Sequence, residues 1–273
     1  MKTLRTRAGL LAGAALLSVV GAAQAQETMY ALSSPTSPQL WSFDITTGLD
    51  TFIGGVTGAE AIFSGMDFDE NGDLFCIDGF NDAFSDRLFL IDEATGAGSV
   101  VGDTGENWNF RSVAFDASTG TLYTARDNRL YTTDRATGLV TFVANITGAG
   151  LDQLTGFAID ADGNAWGSDI GDCTIFSIDL TTGAATQIGN AFPGTRNWFN
   201  DLAVSSDGTL WGAREQGGGI FSIDTSTADA TLEFGLLTYR SIAFEGSAAP
   251  CRADFDGDGD LTIFDFLAFQ NAF

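Results

Sequence analysis

One nine-residue phrase recurs five times along the chain: LWSFDITTG, LFLIDEATG, LYTTDRATG, IFSIDLTTG and IFSIDTSTA. Its aspartates, Asp44, Asp92, Asp134, Asp179 and Asp224, lie 48, 42, 45 and 45 residues apart. The alternation of apolar and small polar residues before each aspartate predicts a strand. The Asp-x-x-Thr-Gly that follows predicts a tight hairpin, because the aspartate accepts backbone N–H groups and the glycine takes the left-handed conformation that closes the turn. Gly48, Gly96, Gly138 and Gly183 hold that place, and Ala228 is the exception. These five aspartates are therefore read as structural.

A second hairpin repeats between the phrases, in GMDFDENGDLFCID, SVAFDASTGTLYTAR, GFAIDADGNAWGSD and DLAVSSDGTLWGAR. Asn71-Gly72, Asp162-Gly163 and Asp207-Gly208 are its turn signals. Each unit thus reads as strand, Asx-Gly turn, strand, variable loop, strand, Thr-Gly turn, strand. A four-stranded antiparallel unit repeating at this period is a propeller blade. The N-terminal MYALSS matches the second strand of a blade whose first strand appears only in RSIAFEG, so Ser241 to Glu245 should lie beside Met29 to Ser33 and close the ring. The expected fold is all-β: a five-bladed propeller over residues 26–246, with one blade shared by both ends.

These phrases resemble the secreted propellers with LYxID-x-x-TG-type repeats, and the resemblance runs over residues 28 to 246. It implies the fold and leaves the activity open, because propellers host many unrelated functions.

The first 25 residues have a basic start (Lys2, Arg5, Arg7), an apolar run from Gly9 to Ala23 and a small-x-small ending at Ala23 to Ala25. That pattern predicts a secretory signal peptide cut before Gln26, and no later segment is long and apolar enough to span a bilayer. The chain carries −24 at neutral pH, and its leader holds three of the twelve cations, so the mature part is more acidic still and has no lysine or histidine. Nucleic-acid binding through phosphate neutralisation is excluded by this charge. Histidine triads, histidine-rich zinc sites and lysine Schiff bases are excluded by composition. Cys76, Cys173 and Cys251 allow at most one internal pair, so stability cannot rest on a disulfide framework.

Function is expected on the face that carries the variable loops, since the opposite face holds only tight turns. Alignment of the innermost strands puts Gly65, Ser112, Gly156, Asp201 and Ser241 in one small-residue set, and Asp67, Ala114, Ala158, Ala203 and Ala243 in another. Met66, Val113, Phe157, Leu202 and Ile242 alternate with them and should fill the space between blades. Asp67 and Asp201 are the charged members, while Arg111 and Arg240 share the position just before the strand in their respective blades. Two readings fit. In one, these four residues with Trp108 and Trp198 form a polar ligand-binding mouth, whose aromatic rims suit a carbohydrate. In the other, the arginines neutralise buried aspartates and the tryptophans pack between loops. An enzyme would be a carboxylate-dependent hydrolase acting on sugars, with Asp67, Asp201 or Glu106 as acid and base.

The C-terminal stretch CRADFDGDGDLTIFDFLAFQNAF numbers as a calcium loop. Asp254, Asp256 and Asp258 fall at positions 1, 3 and 5, Gly259 at 6, Asp260 at 7, Thr262 at 9 and Asp265 at 12. Calcium requires six to eight hard oxygen ligands around such a turn. Phe266, Phe269 and Phe273 then follow a helical spacing beside Ile263 and Leu267. The stretch resembles a dockerin repeat, and more closely the cysteine-flanked variant, over residues 251–273 joined by a linker at 247–250. The resemblance implies a cohesin-like or other anchoring partner. It also implies a second repeat and a second cysteine, which this sequence lacks. The sequence as a whole predicts a secreted, non-catalytic binding module tethered through calcium, with the sugar hydrolase and a structural envelope component as alternatives.

Overall fold

The computed structural model describes residues 27–33, 37–58, 63–78, 86–106, 110–194, 197–214, 217–235 and 238–245. The predicted signal peptide, Trp108 and the tail at 247–273 lie outside them. Twenty strands form five antiparallel sheets of four. The shared blade runs outward from the axis as β20 (Tyr239–Phe244), β1 (Thr28–Ser33), β2 (Gln39–Asp44) and β3 (Asp50–Gly55). The second blade contains β4 (Phe63–Phe68), β5 (Leu74–Asp78), β6 (Arg87–Ile91) and β7 (Gly98–Asp103). The third has β8 (Phe110–Asp116), β9 (Thr121–Arg126), β10 (Arg129–Thr133) and β11 (Val140–Asn145). The fourth has β12 (Leu154–Ile159), β13 (Ala165–Asp169), β14 (Thr174–Ile178) and β15 (Ala185–Asn190). The fifth has β16 (Asp201–Val204), β17 (Leu210–Ala213), β18 (Ile220–Ile223) and β19 (Ala230–Phe234).

The five-bladed ring closes as the sequence predicts. β1 pairs antiparallel with β20, from Met29 opposite Phe244 to Ser33 opposite Tyr239. The innermost strands β20, β4, β8, β12 and β16 each touch the next around the axis, and β16 returns to β20. Met66, Val113, Phe157, Leu202 and Ile242 are all buried between the blades. The small residues that alternate with them face the following blade: a Cβ on Gly65 would lie 2.7 Å from Ser112 Cα, and one on Gly156 would lie 2.8 Å from Leu202 Cγ. Close approach of backbones therefore explains the small-residue columns.

The repeated turns serve twice. Asp44, Asp92, Asp134, Asp179 and Asp224 each accept backbone N–H groups from the residues two and three positions on. These bonds stabilise the ionised form, and all five carboxyls sit below their usual range. Each turn also docks against the end of the preceding blade's outermost strand. A Cβ on Gly54 would stand 2.0 Å from the Thr95 carbonyl oxygen, one on Gly102 1.9 Å from that of Thr137, and one on Gly189 2.2 Å from that of Thr227. In the same manner Gly183 abuts Asn145, and Gly48 abuts the ring of Phe234 at the closure. Ala228, the exception in sequence, still takes a φ of 67° and is fully buried.

Replacing Gly102 by alanine drives a methyl group into a carbonyl, an overpacking that typically costs about 1–3 kcal/mol. Gly72→Ala meets open space and only the strain of a φ of 83°, worth about 1–2 kcal/mol. Urea unfolding of the two variants should show the larger midpoint loss for Gly102→Ala; equal losses would mean that these peripheral contacts are soft.

Candidate functional site

The inner strands bring the predicted residues together in an order the sequence did not reveal. Asp67 and Asp201 are stitches between neighbouring blades. One Asp67 oxygen accepts the N–H of Phe68 at 2.9 Å and the other accepts the N–H of Phe115, in the next blade, at 2.8 Å. Asp201 accepts the N–H of Leu202 at 3.0 Å and that of Ile242 across the closure at 3.2 Å, together with the Ser241 hydroxyl. Between them in the ring, the Ser112 hydroxyl donates to the Thr155 carbonyl at 2.8 Å. Backbone N–H groups thus bind the carboxylates for which the packing reading had invoked arginines. Burial pushes Asp67 up to about 7 and Asp201 well above the usual carboxylate range, despite these bonds.

Several ion pairs lie away from these two carboxylates. Arg87 pairs with Asp78 at 2.7 Å, Arg126 with Glu106 at 2.8 Å, and Arg135 with Asp69 and Glu70. Glu106, named as a hydrolase candidate, is therefore engaged by a guanidinium. Arg111 and Arg240, expected just before their strands, are instead the second residues of β8 and β20, because the inner strands begin one residue ahead of them, at Phe110 and Tyr239. Burial lowers the Arg111 guanidinium, and the like charge of Arg240 adds to the effect. Trp198 is half-buried, and Trp108 lies outside the described residues.

A half-open hollow lies on the opposite face, among the Asx-Gly turns. This axial well has a volume of about 370 Å³. Its wall carries one apolar residue from each blade: Phe68, Phe115, Ile159, Val204 and Phe244, the sixth position of the aligned inner strands. Asp67, one residue deeper, also lines it, and Asp201 is absent from its described lining. Around the mouth stand Glu27, Asp160, Asp162 and Asp207, with Asp69 and Glu70 at the corner held by Arg135. None of the described lining residues is basic.

The turns position these acids. Asp160 accepts the N–H groups of Asp162 and Asn164, and Asp207 accepts that of Thr209. The Glu27 carboxylate accepts the Ser206 N–H at 2.6 Å and the Ser206 hydroxyl at 3.1 Å. Its pKa is raised, chiefly by burial, with the charge of Asp207 adding to the shift. Sequence reasoning took this face as closed because its turns are short. The available signal was the column of large apolar residues immediately before the turn acids, repeated in every blade.

The buried cysteines offer no competing site. Cys76 and Cys173 are fully buried free thiols, and burial raises both pKa values, Cys173 to about 12. A thiol held protonated in this way is a packing group. Among the described residues no cluster of acids, cysteines or histidines has a metal-ligating arrangement. The calcium positions Asp254, Asp256, Asp258, Asp260, Thr262 and Asp265 lie outside the described residues.

No family model and no curated protein matches the chain. Solved structures do. A chain of a nidogen–laminin complex aligns with a TM-score of 0.53 at 9% identity, over 81% of this chain and 98% of that one. A structural-genomics protein of unknown function from Bacteroides thetaiotaomicron aligns with a TM-score of 0.55 at 15% identity, over 82% of this chain and 66% of that one. A putative gluconolactonase aligns at 0.50 and 14% identity, over 79% and 81% of the two chains. TolB from Acinetobacter baumannii also aligns at 0.50 and 14%, and this chain spans 54% of its length. At such identities the likeness is one of fold.

Proposed function

We infer that the chain is a secreted, non-catalytic binding module built on a five-bladed propeller and tethered by a calcium-dependent segment at residues 251–273. The observation that carries the non-catalytic part is the placement of Asp67 and Asp201. A glycoside hydrolase needs two carboxyl groups facing one substrate across a cavity. Here each carboxylate is occupied by backbone N–H groups of two adjacent strands, and only Asp67 reaches the axial well. Their position supports a role in holding blades together.

The fold neighbours accommodate either activity, since one belongs to a complex of two proteins and another is called a putative gluconolactonase. The residues of this chain favour binding. The loop-face reading rests on Arg111, Arg240 and Trp198, with Trp108 added from the sequence, as residue types that suit a polar ligand such as a carbohydrate. The tether rests on the aspartate spacing from Asp254 to Asp265 and on the apolar helical pattern that follows it. A cohesin-like partner is the anchor this pattern implies.

Calorimetry on the chain lacking residues 1–25 tests the tether. One calcium should bind per chain, Asp258→Ala and Asp265→Ala should each abolish saturable uptake, and the propeller's melting should stay unchanged in both. Absence of uptake at millimolar calcium would overturn the tether. Turnover on a panel of glycoside and ester substrates, lost in Asp67→Asn, would overturn the non-catalytic reading.

A further inference from the structure

We propose that the axial well on the turn face binds a small organic cation, an ammonium group carried on an apolar stem, with the stem against the five apolar wall residues and the charge among the carboxylates of the mouth. The proposal rests on neither the loop face nor the tail, so it stands or falls independently of the function inferred above.

The well has the dimensions of a ligand site. At about 370 Å³ it lies near the small end of the range of about 300–1,000 Å³ found for small-molecule pockets. Its composition selects the ligand. Three phenyl rings, Phe68, Phe115 and Phe244, with Ile159 and Val204, give a wall that cannot solvate a polar molecule but attracts an apolar body. Aromatic faces also attract cations, and the wall already shows this: the guanidinium of Arg135 lies 5.2 Å from the centre of the Phe115 ring.

Charge settles the sign. Arg135 is the cation bound at this mouth, and it is spent on Asp69 and Glu70. Glu27, Asp67, Asp160, Asp162 and Asp207 have no basic partner among the described lining residues. Turn N–H groups satisfy part of their acceptor capacity, yet an ionised carboxylate has about four lone-pair sites, so the rim acids Glu27, Asp160, Asp162 and Asp207 keep capacity to accept from a bound ammonium group. An anion would meet repulsion from every side, and a neutral apolar molecule would leave the rim carboxylates without a counter-charge. A bare divalent metal would find no ligand cluster among the described residues. An organic ammonium ion satisfies wall and rim together.

Titration of phenethylammonium into the chain lacking residues 1–25 tests the proposal, with phenethyl alcohol as the neutral counterpart. Saturable binding of the amine with one site per propeller is expected, and the alcohol should bind at least about tenfold more weakly. Val204→Trp fills the well from a half-buried position and should abolish binding; its tail is identical, so any uptake by the acidic tail survives in it and is subtracted. Glu27→Gln combined with Asp162→Asn changes only the rim and should weaken the amine by about tenfold while leaving the alcohol unchanged. Equal affinity for amine and alcohol, or amine binding by the parent chain that does not exceed the tail uptake measured in Val204→Trp, would overturn the proposal. So would the absence of binding by the parent chain at millimolar amine.

Discussion

A chain lacking residues 240–246 should lose its cooperative unfolding transition altogether. Those residues include most of β20, which pairs with β1 along its whole length and also touches β4 and β16. Their loss removes the innermost strand of one blade, the Ser241 and Ile242 donors of Asp201, and the buried Ile242, Ala243 and Phe244. In a linear array the damage would stay at one end, because each unit contacts only its neighbours. In a closed ring every blade has two neighbours, and opening one joint exposes two faces at once. Near-ultraviolet circular dichroism during urea unfolding provides the measurement. A truncated chain with the parent's midpoint would contradict closure through this blade.

Stability should also pass through a maximum in mildly acidic solution. Asp67, raised by burial to about 7, Asp86, raised mainly by burial to about 6, and Asp201, raised well above the ordinary range, hold protons more tightly in the folded protein than in the unfolded chain. The folded state therefore binds more protons between the ordinary carboxylate pKa and these raised values, so stability falls as pH increases through that window. A tenfold change in proton affinity corresponds to about 1.4 kcal/mol. The effect should reach a few kcal/mol by neutral pH. The turn aspartates act in the opposite sense. Asp44, Asp92, Asp134, Asp179 and Asp224 sit below the ordinary value, so the stability they contribute is present above it and is lost on further acidification. The Tm should peak near pH 4–5 and fall by roughly 5–10 °C by pH 8, given about 2–4 °C per kcal/mol for a chain of this size. Repulsion among the many surface acids contributes a similar slope, but salt screens it. The part due to buried groups should persist in high salt and shrink in Asp67→Asn. A Tm that stays flat from pH 5 to pH 8 in high salt would show that these carboxyls are no burden on the fold.

The ring was legible in the sequence because its information is repeated. Each Asp-x-x-Thr-Gly marks the same turn, and the lone strand at each terminus leaves one way to complete the count. The small columns at Gly65, Ser112, Gly156, Asp201 and Ser241 were legible for the same reason, since close backbone approach demands the same small residue in every blade. The peripheral docking of Gly54, Gly102 and Gly189 was hidden. It depends on how far a blade twists between its inner and outer strands, which no local pattern states. The axial well was hidden differently. Phe68, Phe115, Ile159, Val204 and Phe244 look like ordinary core residues one by one, and only the curvature of the ring turns the column into the wall of a cavity. Arg111 and Arg240 share a position as expected, though inside their strands, but the donors that satisfy Asp67 and Asp201 are backbone atoms, which carry no residue code.

The way β20 enters the ring also determines how the molecule carries load. The strand runs along the axis, is paired with β1 on one side, and ends at Phe244 beside the mouth of the well. Tension applied through the C-terminal end pulls β20 along its own length, at right angles to the hydrogen bonds that join it to β1. Those bonds, and the clasp of Asp201 on Ser241 and Ile242, are then strained together in shear and cannot be peeled one after another. The seam that closes the ring, which is the obvious place for it to come apart, is thereby oriented so that a pull from the tail is shared across its full length.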